Sequence, residues 1–179
     1  MDSAIVQYAH AFIGRSQFID GVAIFSAAYL PYGIVLAFVV MLFTHGAFLG
    51  DTPLTRKKKR LEFVLMVVIS LLVAWGLIVP LIHYAYGRPR PFAEFNWTPL
   101  VAHEADPSFP SGHAVFFFVL AVSMWQLNRK WGQWFAVAAA LNALARVYAL
   151  VHFPSDVIYG ALIGSFVVFL VRRVVVSTG

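Results

Sequence analysis

Residues 107–156 read PSFPSGHAVFFFVLAVSMWQLNRKWGQWFAVAAALNALARVYALVHFPSD. The turn Pro110-Ser111-Gly112-His113 opens this stretch, and Arg146, His152 and Asp156 close it. Between them lie two apolar runs joined by Asn128-Arg129-Lys130. The first run predicts a membrane helix from Ser111 to about Leu127, the second one from about Trp131 to Val151. His152-Phe153-Pro154 breaks the second, because a residue before proline disfavours the helical region. Up-and-down helices of this kind bring both polar sets to one end. Ionisable residues in or beside membrane segments are candidates for function.

Working outward, a further span runs from about Ser155 to Val171 and stops at Arg172-Arg173. On the other side, residues 84–110 form a loop of 27 residues with five of the nine prolines, and it opens on Gly87-Arg88-Pro89-Arg90-Pro91. Loops longer than about 12–15 residues are usually functional or disordered. Another span runs from about Leu61 to His83, preceded by a polar connection over 44–60 that ends in Arg56-Lys57-Lys58-Lys59-Arg60. The first span covers about Gly21 to Phe43, with a kink at Pro31, which membrane helices tolerate. Residues 2–14 place Ile5, Val6, Ala9, Phe12 and Ile13 at helical spacing. That segment is too short to span, since a span needs about 20 apolar residues. It predicts an amphipathic interfacial helix, capped by Asp2 or Ser3.

The expectation is therefore an all-α, integral membrane bundle of about five transmembrane helices plus a short N-terminal helix, in one domain over 1–179. Composition agrees. The 179 residues are 61% hydrophobic and 12% charged, against about 25% charged in soluble domains. An aromatic content of 16% suits membrane interfaces. The net charge of +5 comes largely from one short run, which argues against nucleic acid as a partner. Residues 1–20 lack the basic start and apolar centre of a cleavable signal. Oligomeric state has no signature in the sequence.

Positive residues mark the cytoplasmic side of a membrane. The 44–60 connection, the 128–130 turn and the C-terminus carry the basic clusters. These three share a side if the spans alternate. The 84–110 loop and the 152–155 turn then face outward together, as does the N-terminus.

The side chains at that outer end define a chemistry. Guanidinium forks match the oxygens of phosphate. Two histidines, His113 and His152, suit a nucleophile and a general acid. Gly112 at a helix start leaves free N–H groups for an anion, and Ser111 adds a hydroxyl. Asp156 can orient His152 and fix its tautomer. The alternative is a structural ion pair between Arg146 and Asp156. Cys is absent, which excludes a thiolate nucleophile, and no second carboxylate lies near Asp156 in sequence. Phosphoryl transfer without a metal cofactor is the natural reading. Arg90 is assigned to phosphate and Arg88 to snorkelling or a secondary contact. His10, His45 and His103 belong to no motif. His103 stands near Glu104 and Asp106, an arrangement with metal-ligand character, but a mobile, solvated lid is the preferred reading.

Together these blocks resemble the type 2 phosphatidic acid phosphatase superfamily over roughly residues 60–170. Its pattern is K-x6-R-P, then P-S-G-H, then S-R-x5-H-x3-D. The second block is complete at Pro110 to His113. The third matches at Arg146, His152 and Asp156, with Ala145 in place of the leading serine. The first matches at Arg90-Pro91, with His83 at the lysine position, so a permanent cation becomes a titratable group. The resemblance implies a phosphohistidine mechanism with no metal or other cofactor. It implies His152 as nucleophile, Asp156 as its partner and His113 as general acid. Arg90, Arg146, Ser111 and Gly112 would form the phosphate cradle, with His83 beside them. Within the superfamily the chain looks most like bacterial undecaprenyl pyrophosphate phosphatases, which recycle the cell-wall lipid carrier. That likeness implies a lipid phosphate substrate in the bacterial plasma membrane, with the site facing the periplasm or exterior. Phosphatidylglycerophosphate or phosphatidate phosphatases share the blocks. A transporter that binds lipid phosphates without hydrolysis is the competing class.

Overall fold

The computed structural model describes residues 1–44 and 52–176. The described residues form helices and no strand: α1 (Asp2–Phe12), α2 (Gln17–Ile24), a π turn (Phe25–Tyr29), α3 (Leu30–Thr44), α4 (Pro53–Leu71), a second π turn (Leu72–Ile78), α5 (Val79–Ala85), α6 (Pro91–Glu94), α7 (Gly112–Leu127), α8 (Arg129–Tyr148) and α9 (Pro154–Val176). Three continuous helical stretches are long and apolar enough to cross a membrane: Gln17–Thr44, Lys57–Ala85 and Pro154–Val175. The shorter α7 is central, packed against α4, α8 and α9. The protein is thus an all-α, multi-pass membrane bundle.

The two π turns have a common cause in sequence. Proline lacks an N–H and its ring crowds the carbonyl four residues earlier. Pro31 and Pro80 each follow a π turn, where the widened backbone relieves that crowding. Pro31 thus perturbs the first span as expected. The loosened carbonyls need partners in a membrane. In the first π turn Asn142 of α8 supplies them, donating from Nδ2 to Ser26 O at 2.8 Å and Ala27 O at 3.4 Å.

Close backbone approach fixes α9 on α7. A Cβ on Gly160 would lie 2.8 Å from Ser111 O, and one on Gly164 would lie 2.4 Å from Val115 O. Two glycines four apart make a small-residue seam, the usual contact of tightly packed membrane helices. That seam sets the first turn of α9, with Asp156, against the first turn of α7.

Several helix ends depart from the sequence reading, and α9 runs on through Arg172-Arg173 to Val176 rather than stopping there. The basic run Arg56–Arg60 is the start of α4, not the end of a polar connection. Thr52 and Thr55 cap the helix reciprocally, each backbone N–H donating to the other's hydroxyl at 3.1 and 3.3 Å. The rest of that connection, with His45, lies outside the described residues. Helix α8 ends at Tyr148, before the proline could act. Leu150 N–H donates to Val147 O at 3.0 Å and Val151 N–H to Arg146 O at 3.2 Å. These are the two bonds of a Schellman cap, with Leu150 left-handed at φ 65°. Helix α1 forms as expected, but neither Asp2 nor Ser3 caps it through a side chain. It docks through Val6 and Ala9 onto Leu150 and Phe153.

Residues 92–100 of the 84–110 loop are docked on the bundle, while Ala102 and residues 104–106 beside His103 are exposed. Phe92, Phe95 and Trp97 pack into the same cluster. Phe92 N–H donates to Leu150 O at 3.1 Å and Leu100 N–H to Ala149 O at 3.2 Å. The loop therefore satisfies carbonyls that the end of α8 leaves open.

Candidate active site

The carboxyl ends of α5 and α8 and the amino ends of α1, α7 and α9 meet at one end of the bundle, under the loop. His152 lies there in the turn between α8 and α9 and is 2% exposed. Its Nδ1 lies 3.0 Å from Ser108 O. A carbonyl only accepts, so Nδ1 carries the proton and Nε2 keeps its lone pair. Nε2 faces Arg90 Nη1 at 3.2 Å. Burial, reinforced by Arg146 and Arg90, holds the imidazole well below its usual pKa, so it is neutral at pH 7.

Asp156 is fully buried. The sequence reading pairs it with the His152 ring, yet Oδ2 is 3.6 Å from Nδ1, beyond a hydrogen bond. Oδ2 accepts instead from Phe153 N–H at 2.7 Å. Ser108 O is thus the group bonded to His152 Nδ1, and Asp156 shapes the turn that carries the ring. Ser108 went unnoticed because a main-chain acceptor leaves no side-chain signature.

Of the two readings given for Arg88, snorkelling or a secondary contact, the structure shows the second. Arg88 Nη1 donates to Asp156 Oδ1 at 2.9 Å and to Ser155 Oγ at 2.7 Å, and its Nη2 donates to Asp2 Oδ2 at 3.0 Å. The guanidinium carbon sits 3.9 Å from the centre of the Phe153 ring. Asp2 also accepts from Ser155 N–H at 3.2 Å and from the Ser155 hydroxyl. Desolvation raises the Asp2 pKa, but the bonds to Ser155 and Arg88 outweigh it and hold the carboxyl below its ordinary value. The expected Arg146–Asp156 alternative does not form, because Arg88 takes that carboxylate. Arg88→Ala should cost about 3–5 kcal/mol, the usual cost of stranding a buried charge. Arg88→Lys should recover only part, since an ammonium does not reproduce the fork. Thermal unfolding in detergent measures this; an unchanged Tm for Arg88→Ala would refute it.

Arg146 is 4% exposed, and its Nε and Nη2 have no hydrogen-bond partner among the described residues. Buried guanidinium nitrogens are rarely left so. Arg90 is 3% exposed. Its Nε donates to Asp106 Oδ1 at 3.0 Å, its Nη1 to Val151 O at 2.8 Å and its Nη2 to Pro107 O at 3.3 Å. Burial lowers the Arg90 pKa, and Asp106 and Asp156 oppose that shift.

Ser111 caps α7, its Oγ accepting from Ala114 N–H at 3.4 Å, and its own N–H donates to Asp156 O at 3.0 Å. A Cβ on Gly112 would lie 3.2 Å from Trp75 Nε1. His113 lines a cavity of about 120 Å³ with Trp75, Gly112, Phe116 and Phe117. His83 Nε2 meets Pro110 O at 3.1 Å. That contact ties α5 to the loop–helix junction, so this nitrogen is engaged by the main chain. His103, half-buried, stands edge-on to His152 with ring centres 6.2 Å apart. Its Nδ1 is 3.1 Å from Glu104 O and 3.5 Å from Asp106 Oδ1. Burial, then Arg90, lowers its pKa.

A family model described as PAP2 superfamily matches residues 61–178. Undecaprenyl-diphosphatase BcrC of Bacillus subtilis is 27% identical over 174 residues, which cover 97% of this chain and 83% of that protein. The bacitracin transport permease protein BcrC of Bacillus licheniformis is 34% identical over 149 residues, covering 82% of this chain and 66% of that one. Among solved structures, a transmembrane PAP2-type phosphatidylglycerolphosphate phosphatase from Bacillus subtilis superposes with a TM-score of 0.63 at 23% identity, covering 99% of this chain and 86% of that one. Aquifex aeolicus LpxE superposes at 0.62 and 21% identity, covering 89% and 88%. These two likenesses show the fold.

Proposed function

The chain belongs to the PAP2 superfamily, and from that premise we propose that it hydrolyses a lipid pyrophosphate or phosphate through a phosphohistidine. The observation that carries this is a pair of open guanidinium nitrogens on buried Arg146, at the end of the bundle that holds a neutral His152. The open donors fit an anion, and the lone pair on Nε2 fits a nucleophile. Arg90, Arg146, Ser111 and the Gly112 N–H hold the phosphoryl oxygens. His152 Nε2 attacks phosphorus and the bond to the leaving oxygen breaks. His113 gives that oxygen its proton, then takes one from the water that attacks the phosphohistidine. The products are inorganic phosphate and the dephosphorylated lipid. Asp156 positions His152 through its turn, and His83 positions the Ser111–His113 turn through Pro110 O.

The substrate we favour is undecaprenyl pyrophosphate, cleaved to undecaprenyl phosphate. The named activity of the Bacillus subtilis relative supports it. Phosphatidylglycerophosphate and phosphatidate are the alternatives within the same chemistry. The transport name of the Bacillus licheniformis relative favours a second reading, lipid-phosphate binding without hydrolysis. Phosphate release by purified protein, measured on all three lipids and on farnesyl pyrophosphate, separates these. Release should be fastest with the pyrophosphates and survive EDTA, because the guanidiniums already supply positive charge. Vanadate should inhibit. No release from any substrate would leave transport standing. Loss with EDTA and recovery with Mg²⁺ would overturn the metal-independent mechanism.

For the orientation, we take the site to face the periplasm or cell exterior of a bacterial plasma membrane. The basic run Arg56–Arg60 and Arg172-Arg173 support this by the positive-inside rule. In a cysteine-free chain, Glu104→Cys should react with an impermeant thiol reagent on intact cells and Lys58→Cys should not. Reversed labelling would put the site in the cytoplasm.

A further inference from the structure

The two cradle arginines are not equivalent. Arg146 has open donors, whereas every guanidinium nitrogen of Arg90 already has a partner. A guanidinium carries five N–H groups. On Arg90, Nε serves Asp106, Nη1 serves Val151 O and faces His152, and Nη2 serves Pro107 O and lies 3.0 Å from Asp106 Oδ1. A phosphoryl group that takes the Nε/Nη2 edge of Arg90 must therefore displace the carboxylate that lies there. Val151 O and Pro107 O are main-chain groups. Asp106 is the exchangeable one: its side chain is 45% exposed and lies on the loop. It lines an open cavity of about 550 Å³ with Ala102, His103 and Glu104. It offers Arg90 a carboxylate oxygen, the same kind of acceptor that phosphate offers.

We propose that Asp106 is an internal competitor for the phosphoryl site, exchanging with phosphate on Arg90. The inference rests on the reading that Arg90 binds the phosphoryl group. Substrate displaces Asp106 from the guanidinium, and Asp106 returns as inorganic phosphate leaves. The carboxylate thus weakens binding of both substrate and product, and keeps the product from occupying a cradle built for three anionic oxygens. No bond is made or broken in the exchange beyond hydrogen bonds. Asp106 is a positioning residue whose effect falls on affinity.

The test uses the full chain in lipid nanodiscs and inhibition by inorganic phosphate. Asp106→Asn keeps the shape and removes the charge. Its inhibition constant for phosphate should fall about tenfold, in line with one charge-assisted hydrogen bond no longer opposed. KM should fall with it. Asp106→Glu, which keeps the charge, should stay near wild type. A purely structural role for Asp106 predicts the opposite sign, because a loosened Arg90 binds phosphate less well. An inhibition constant that is unchanged or higher in Asp106→Asn overturns the proposal, and so does equal tightening in Asp106→Glu. Failure of the phosphatase reading is separately visible as no phosphate release by wild type. The exchange is then read from thermal stabilisation by inorganic phosphate, which should be larger in Asp106→Asn than in wild type; equal or smaller stabilisation overturns it.

Discussion

His152→Ala is expected to abolish turnover, with a loss on the order of 10⁶-fold, as when a nucleophile is removed from an enzyme that works through a covalent intermediate. His152 is held for one task. Ser108 O takes the Nδ1 proton at 3.0 Å, the turn below is tied by Asp156, and burial keeps the ring neutral. His103, whose ring centre lies 6.2 Å from that of His152, bonds through Nδ1 to the loop backbone. Binding should persist, because Arg90 and Arg146 remain. The sharpest measurement is rapid acid-free quenching with ³²P-labelled substrate. Wild type should carry an acid-labile, alkali-stable label, and His152→Ala none. A variant with near-wild-type turnover would sink the mechanism.

The neutral imidazole also sets a pH dependence with a definite sign. The folded pKa of His152 is depressed, so charging it opposes the folded state. As pH falls below the usual imidazole range, the unfolded chain binds a proton that the folded chain does not, and this group destabilises the protein. Above that range its contribution is constant.

His113→Ala is expected to cost about 10²–10⁴-fold on lipid monophosphates, the range for general acid catalysis. An alkoxide leaving group needs the proton. On pyrophosphates the loss should be smaller, because phosphate is a weaker base and leaves unassisted more readily. His113 sits in the first turn of α7, in the cavity with Trp75 and two phenylalanines. Parallel kcat/KM values on phosphatidate and farnesyl pyrophosphate provide the comparison. Equal losses on both would remove His113 from the proton transfer and leave it a packing role beside Trp75.

Much of this molecule is determined by local sequence. Apolar runs interrupted by short polar segments leave a membrane chain few choices, because every backbone group in hydrocarbon must bond within its own helix. Hence α7 was legible nearly to the residue, while the spans around it were legible in existence and order but not in their ends. So was the gathering of Arg90, Arg146, His152 and Asp156 at one end, since alternating helices return polar sets separated by a full span to the same side. The close of α8 was not legible. Its stop signal is normally a glycine, and here Leu150 takes the left-handed position because the docked loop and α1 bury it. Nor were the partners of the charges. Which carboxylate Arg88 meets depends on where α1 lands, and Asp2 lies 86 residues away along the chain. Sequence spacing encodes distance along one helix, so it named the ionisable groups. Only the packing of α1, the loop and the α7–α9 glycine seam decided that Asp156 pairs with Arg88, that Ser108 O bonds His152, and that Asp106 holds Arg90.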